Sequence, residues 1–469
     1  MRRPNLVLIS AGICVVAIGG CSADAVSPPS LGSVVLVSGD AQTSSPGQAL
    51  PDTLVARILS VTGRPMSGVE VSWRVTYGAG TLTPGPDTSD ANGNIRATLT
   101  LGPAPGTTQV VATVADLPGV TFTATGRGLQ ATSLAVGLVT ACAIDITAHT
   151  WCWGGTASSG DSGAATAPYY VPRLVAGGHH FTELAAGEEH MCGLDQSGTT
   201  WCWGWDYYQA LGTGATGHVD YPVMLASAPT FAHIFGGDAE HTCGLTADGT
   251  AYCWGRDDLG QLGSGSTTTS VGTPVAVAGG IKFSSLSPTI DRTCGVAIGG
   301  AAYCWGNNNG VLLGDSGASG AASNVPVPVA GNHTFLALAT TDTYTCGVTS
   351  DVGRVCWGAV PDGGAQRGVP VPAPQLSDLS EYLPAYNGGF GILAKEAISL
   401  VGFSSPRNEG APIPLHGLTA GFWTACALAQ DATVYCWGVN DAGQAGNPDA
   451  YPYDGGWSAA HAVVVPATY

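Results

Sequence analysis

Charge is what this chain has least of. Asp, Glu, Lys and Arg make up only 10% of its 469 residues. Lys and Arg total 15 against 33 acids, for a net charge of −18. Nucleic-acid binding wants a basic face, so that class is set aside. Long Glu/Lys-rich amphipathic helices are missing. No Gly-rich stretch joins Lys-Ser/Thr to a strand-to-helix context, so no phosphate site is supported. The short Cys-x-Cys or Cys-x2–4-Cys pairs usual for zinc are missing as well. Beyond Leu6 to Ile18 near the N-terminus no long apolar run stands out, and that one is too short to be a convincing membrane span. What is abundant is Gly, 69 residues and about twice the usual share, with Ser, Thr, Asn and Asp beside it. This composition suits turn-rich β structure.

The 14 cysteines are ordered. Six pairs share a ten-residue spacing: Cys142 with Cys152, Cys192 with Cys202, Cys243 with Cys253, Cys294 with Cys304, Cys346 with Cys356, and Cys426 with Cys436. Trp-Gly follows the second cysteine every time. A repeat has to be read before anything else. If Cys243 faces Cys253 in a hairpin, Thr246 faces Thr250 and Ala247-Asp248-Gly249 is a three-residue loop. Such loops favour Gly at the last position, where Gly249, Gly198 and Gly300 stand. Opposed residues lie about 4.5–5.5 Å apart at Cα, within disulfide reach. Disulfides lead, ahead of free buried thiols and, last, metal. Regular pairs imply an oxidising compartment.

Residues 1–20 read as a secretory signal, with Arg2 and Arg3 before the apolar core. Ile18-Gly19-Gly20-Cys21-Ser22 resembles the bacterial lipobox, which implies lipidation of Cys21; ordinary cleavage with Cys21 free is the alternative. By analogy with that family, Ser22 in place of Asp points to the outer rather than the inner membrane. Removing 1–20 and lipidating Cys21 leaves twelve cysteines, all in the six pairs. Residues 21–32 form a tether. Residues 33–128 lack cysteine and carry short β-rich runs separated by Gly and Pro, with Trp73 on the apolar face of a strictly alternating strand. Gly63–Val69, Asp90-Ala91-Asn92-Gly93, Leu99–Gly102 and Phe122–Gly126 resemble bacterial Ig-like domains of the invasin/intimin type. That resemblance implies a β-sandwich used as a spacer.

Residues 129–469 hold the repeats. First cysteines recur every 50 to 52 residues until a gap of 80 before Cys426. The gap contains a degenerate copy, with Phe390 and Leu400 in the cysteine places and Val401-Gly402 for Trp-Gly. Each copy precedes a β-rich run. Seven units of about 49 residues match a propeller of four-stranded blades. The terminal run Val463–Val465 is expected to complete the blade begun near residue 129. Trp-Gly is expected to pack between neighbouring blades. Trp254-Gly-Arg-Asp-Asp-Leu-Gly-Gln-Leu-Gly-Ser-Gly265 resembles the signature of the regulator of chromosome condensation repeat, with looser copies at Trp305–Gly317 and Trp437–Gly446. The signature is eroded at 358–368 and 402–410. The fold implied is all-β: a seven-bladed propeller with hairpin disulfides in six blades, after an N-terminal Ig-like sandwich.

Chemistry is sparse. Gly160-Asp161-Ser162-Gly163 and Gly314-Asp315-Ser316-Gly317 look like a serine-protease nucleophile stretch, and Ser458–Ala462 faintly like that family's histidine stretch. The histidine, however, follows both serines, which reverses the chain order of that family. The serine stretches occupy equivalent places in two blades, which marks them as loops. Glu188-Glu189-His190 and Asp238-Ala239-Glu240-His241 are repeat-equivalent and read as solvated turns. No catalytic residue, metal or cofactor is assigned. Tyr169, Tyr170, Trp205, Tyr207, Tyr208, Tyr221, Trp423, Tyr451, Tyr453 and Trp457 lie mostly in variable segments. They are candidate binding-loop residues on a rigid scaffold, with packing inside long loops as the plainer reading.

The expectation is a lipid-anchored, extracytoplasmic binding protein of the bacterial envelope. Its monomeric propeller presents loops to an unknown protein partner. The resemblance also covers a nuclear exchange factor, a plant photoreceptor and a secreted bacterial β-lactamase inhibitor, so it does not settle function. An exchange-factor-like activity or a purely structural surface repeat would be alternatives. An enzyme reading would gain weight if one face gathered three or more carboxylates or histidines.

Overall fold

The structure, a computed structural model, describes residues 30–463 apart from 46–47, 103–105, 156–158, 163–168, 215–216, 226, 238, 318–319, 321, 361–365, 373–380, 385–389, 395–396, 402–414, 422–423, 440–442 and 447–456. Cys21 and the signal segment, Trp423, Tyr451 and Tyr453 lie outside the described residues.

Residues 31–126 form two four-stranded sheets. Leu54, Ala56, Ile58, Ile95 and Leu99 of one sheet meet Val110, Ala112, Phe122 and Ala124 of the other in a single core. Alternation along each strand puts these side chains inward. Trp73 packs on this core with its ring centroid 5.6 Å from that of Phe122. Two short strands, Gln42–Ser44 and Gly80–Pro84, carry no alternating apolar signal and escape sequence reading.

Among the described residues, 131–462 form six four-stranded sheets and one three-stranded sheet. Taken in chain order, these are the first (131–174) to fifth (335–372), the sixth (381–401) and the seventh (415–462). Each four-stranded sheet is a meander of consecutive strands. The leading strand of each sheet lies beside that of the next, and the seventh lies beside the first.

In every cysteine-bearing sheet the two cysteines are direct cross-strand partners. Cys142 is bonded to Cys152 in the first sheet, Cys192 to Cys202 in the second and Cys243 to Cys253 in the third. Cys294 is bonded to Cys304 in the fourth, Cys346 to Cys356 in the fifth and Cys426 to Cys436 in the seventh. The Cα atoms are 4.1 Å apart in all six, a little closer than the spacing expected for opposed residues. In the third sheet the Thr246 amide donates to the Thr250 carbonyl. Alternation from that hydrogen-bonded pair makes Cys243 and Cys253 a non-hydrogen-bonded pair, the closer of the two kinds. The loop glycines Gly198, Gly249 and Gly300 have positive φ, as the turn requires.

Two expectations are corrected. The first sheet is made of four strands from 131–174, and of the run Val463–Val465 expected to complete it only Val463 lies among the described residues, where its amide donates to Val434 of the seventh sheet beside the strand Trp457–Ala462. Instead, residues 129–131 cross over to the seventh sheet: the Leu129 amide donates to Val463, Val434 to Leu129, and Ala131 to Ala432. In the degenerate copy Phe390 pairs with Val401 and Gly391 with Leu400, so Phe390 and Leu400 are not opposed. No disulfide pins that hairpin. Ala394 pairs with Ala397, a two-residue connection that sets a different register.

The Trp-Gly pair locks sheet to sheet. Trp153, Trp254, Trp305 and Trp357 are completely buried. Their indole N–H groups donate to backbone carbonyls of the preceding sheet's signature segment: Gln444 (2.9 Å), Ala210 (2.9 Å), Gln261 (2.8 Å) and Leu312 (2.9 Å). The signature glycine lies on that indole. A Cβ at Gly263 would stand 2.6 Å from the Trp305 Nε1. Gly160 and Gly314, at the head of the two Gly-Asp-Ser stretches, hold the same place over Trp203 and Trp357. Those stretches are therefore repeat turns, as their equivalence implied.

Candidate functional site

Strand register builds the site. Gly255 pairs with His241, so the next residue, Arg256, meets Glu240, and its amide donates to the Glu240 carbonyl at 3.0 Å. In the second sheet Gly204 pairs with His190, and the Trp205 amide donates to Glu189 at 2.9 Å. The Glu188 amide donates to Ala239 at 3.1 Å, tying this turn to the equivalent turn of the third sheet. Glu188, Glu189 and Glu240 therefore converge at one end of two neighbouring sheets. They line a cleft of about 140 Å³, walled by Trp205, Tyr207 and Tyr208 and floored by His190 and Ala210.

The turns are not freely solvated, which corrects the sequence reading. Glu188, Glu189 and Glu240 are half-buried, and His190 and His241 are buried. Asp238 lies outside the described residues. Burial, the Glu240 charge and a hydrogen bond with Glu240 push Glu188 up to about 7, with Glu189 adding to the shift and Arg256 opposing it. Burial, then Glu240, raises Glu189 as well. The Arg256 guanidinium binds Glu240 at 2.6 Å and both oxygens of Asp258 at 2.8 Å. It also lies over the Tyr208 ring, 5.2 Å from the centroid. Among the described residues no His, Cys, Asp or Glu group is arranged to hold a metal.

The histidines hold the sheets together. His241 Nε2 lies 2.7 Å from Thr293 Oγ1, which donates its own proton to the Gln261 carbonyl. The imidazole therefore carries its proton on Nε2 and donates it to Thr293. His190 repeats this contact with Thr242 at 2.7 Å. In the next sheet Arg292 takes the same position and donates to the carbonyls of Thr341, Asp342 and Tyr344. Burial lowers His190 to about 4, and burial with the nearby His190 and Arg256 lowers His241 to about 3.

Four of the ten candidate loop aromatics can be placed by their side chains. Trp205 is 37% exposed and Tyr207 66% exposed, their rings stacked 5.2 Å apart and within 4° of parallel. Tyr208 is half-buried in the cleft wall, and Tyr221 is 53% exposed on the strand Gly217–Met224. Tyr169, Tyr170 and Trp457 lie on the strands Tyr169–Leu174 and Trp457–Ala462. Arg256 and Asp258 escaped the sequence reading. The signal for Arg256 was present: the residue after each Trp-Gly must face the residue three before the first cysteine of its own hairpin, as Arg256 faces Glu240.

The sequence matches the regulator of chromosome condensation (RCC1) repeat at residues 181–209, 231–261 and 417–444, and a second form of that repeat at 248–298. Three solved structures share the architecture. Yeast RCC1 (Prp20) bound to Kap60 is 18% identical, with a TM-score of 0.57 over 73% of this chain and 86% of that one. Saccharomyces cerevisiae Prp20p, described with its binding to Gsp1p and histones, is 18% identical, with a TM-score of 0.56 over 73% and 88%. Human WBSCR16 is 17% identical, with a TM-score of 0.50 over 76% and 85%. The matched stretches are similar to the regulator of chromosome condensation repeat, and the likeness to these structures shows a propeller-like fold of repeated four-stranded sheets.

Proposed function

We propose that this chain is a membrane-anchored, extracytoplasmic binding protein. A lipid on Cys21 holds it to the outer membrane of a bacterial envelope, an Ig-like sandwich spaces it, and a seven-bladed propeller presents a protein-binding surface. The observation that carries this reading is the Trp205–Tyr207 stack, exposed beside an acidic cleft on a disulfide-stapled scaffold. Exposed aromatic rings on rigid elements are the usual material of a protein interface. The circuit of leading strands supports seven blades. Six oxidised pairs support an oxidising compartment, which works against an exchange factor acting on a cytoplasmic GTPase. Binding of Kap60, Gsp1p and histones by the yeast proteins supports use of this fold for protein contacts.

The test is capture of surface and secreted proteins of the same cell by the purified full chain. A partner lost on Trp205→Ala/Tyr207→Ala is expected; no partner, or one indifferent to that change, defeats the reading. Palmitate labelling that survives Cys21→Ala would defeat the anchor. A propeller enzyme is the second reading, favoured by the hydrogen-bonded Glu188–Glu240 carboxyl pair, since a carboxyl poised near neutrality suits proton transfer. It requires turnover that Glu188→Gln abolishes.

A further inference from the structure

The cleft at Glu188 and Glu240 has walls of two kinds, and both select the same chemistry. Among the described residues, four acids, Glu188, Glu189, Glu240 and Asp258, gather about Arg256. That cation is already engaged by Glu240 and Asp258. The excess negative charge stands half-buried, where it repels itself and rejects an anionic ligand. An apolar ligand would strip water from these carboxylates without replacing its hydrogen bonds. The aromatic wall offers the ring of Tyr207, 66% exposed; its inner face stacks on Trp205, which stacks in turn on His218 at 4.9 Å. A cation over an aromatic face is attracted by the ring quadrupole. The cleft shows the combination in its own Arg256, which contacts carboxylates and the Tyr208 face together. At about 140 Å³ the cleft holds the end of one side chain. Whole small-molecule ligands occupy roughly 300–1,000 Å³.

We propose that the cleft receives the charged end of a lysine or arginine side chain of the partner protein, seated on the Tyr207 ring and bound by Glu188 and Glu189. This rests on the binding-protein reading and names the chemistry of its anchor contact. A second cation would favour the charged form of Glu188, which burial first and the Glu240 charge second now disfavour.

Calorimetric titration of the full chain with N-acetyl-lysine methylamide, N-acetyl-arginine methylamide and the uncharged N-acetyl-norleucine methylamide tests it. The cationic probes are expected to bind in the millimolar range, about tenfold tighter than norleucine. Glu188→Gln/Glu189→Gln is expected to weaken them about fivefold and Tyr207→Ala about threefold. Tyr207 is mostly exposed and the Gln variants keep shape, so unchanged circular dichroism confirms that each variant folds. Equal binding of norleucine, undiminished binding by the Gln variant, or calcium competing with both amides at equal concentration would overturn the proposal. Partner capture unaffected by Glu188→Gln/Glu189→Gln would overturn it while leaving the binding-protein reading intact. Amide binding without any captured partner would sustain the cleft chemistry and defeat that reading.

Discussion

At the scale of the residue, the repeated tryptophan is a seam component. Trp305 hydrogen-bonds to Gln261 across its seam, whereas Trp437 Nε1 is buried without a partner among the described residues. Trp437 follows the copy whose signature is eroded at 402–410, a segment that lies outside the described residues. Trp305→Phe should cost about 1–3 kcal/mol more than Trp437→Phe in urea denaturation, since only the first leaves a buried carbonyl unpaired. The cleft makes a second residue-scale prediction, in its pH dependence. His190 and His241, held neutral in the fold, bind fewer protons than the unfolded chain between about 4 and 6.5, so stability falls as pH drops through that window. Each fully buried imidazole costs on the order of 2 kcal/mol at pH 5. Glu188 has the opposite sign: its folded pKa is raised from 4.5 to about 7, so its contribution is lost as pH rises through that interval. Half-exposed and partly screened, it accounts for about 1–2 kcal/mol. Glu188→Gln should therefore stabilise the protein at pH 8 and much less at pH 5, as read from midpoints at both values.

At the scale of the element, the unit is a hairpin with a ten-residue staple. Replacing Cys243 and Cys253 by Ala should cost about 2–3 kcal/mol, the chain-entropy value for so short a loop. The loop places a second demand on the chain. Ala148 and Ala432 occupy the place of Gly198 and Gly249 with φ of 66° and 67°. Alanine is strained there, so Ala148→Gly should raise the denaturation midpoint by an amount equivalent to about 1 kcal/mol. Unchanged stability would mean that the Asp145 side chain already offsets the strain. Its carboxylate accepts from the Thr147 and His149 amides and from the Trp151 indole. Hairpin position, loop length and staple were legible in the sequence because all are local. Cys152, Cys202, Cys304, Cys356 and Cys436 each face the cysteine ten positions earlier, as Cys253 does, because the hairpin length is the same in every copy, although the fifth places its positive φ at Gly353 instead of at Val352. The degenerate hairpin was not legible: without cysteines nothing in the spacing chose between Leu400 and Val401 as the partner of Phe390.

At the scale of the whole molecule, the ring depends on the segment that enters it. Leu129 is buried against Trp153, Val434 and Val463, and its amide ties the start of the propeller to its last sheet. Leu129→Ala should cost about 2–4 kcal/mol and, in limited proteolysis, open the seam near 434 first. The sequence reading expected Val463–Val465 to close the ring by completing the first sheet. The difference lies in pairing between residues some 300 positions apart, such as Gln130 with Asp431.

By itself the sequence determined the all-β class, the repeat, the staples and the seam role of Trp-Gly, because each is set by spacing and turn chemistry within one unit. Only the tertiary structure decided what becomes of Glu188-Glu189-His190 and Glu240-His241. In one dimension they are polar turns a full repeat apart. Stacking two sheets buries the histidines as buckles to Thr242 and Thr293 and leaves the carboxylates facing one another beside Trp205 and Tyr207. Proximity between repeats is a property of the ring, and the cleft exists only once the ring is built.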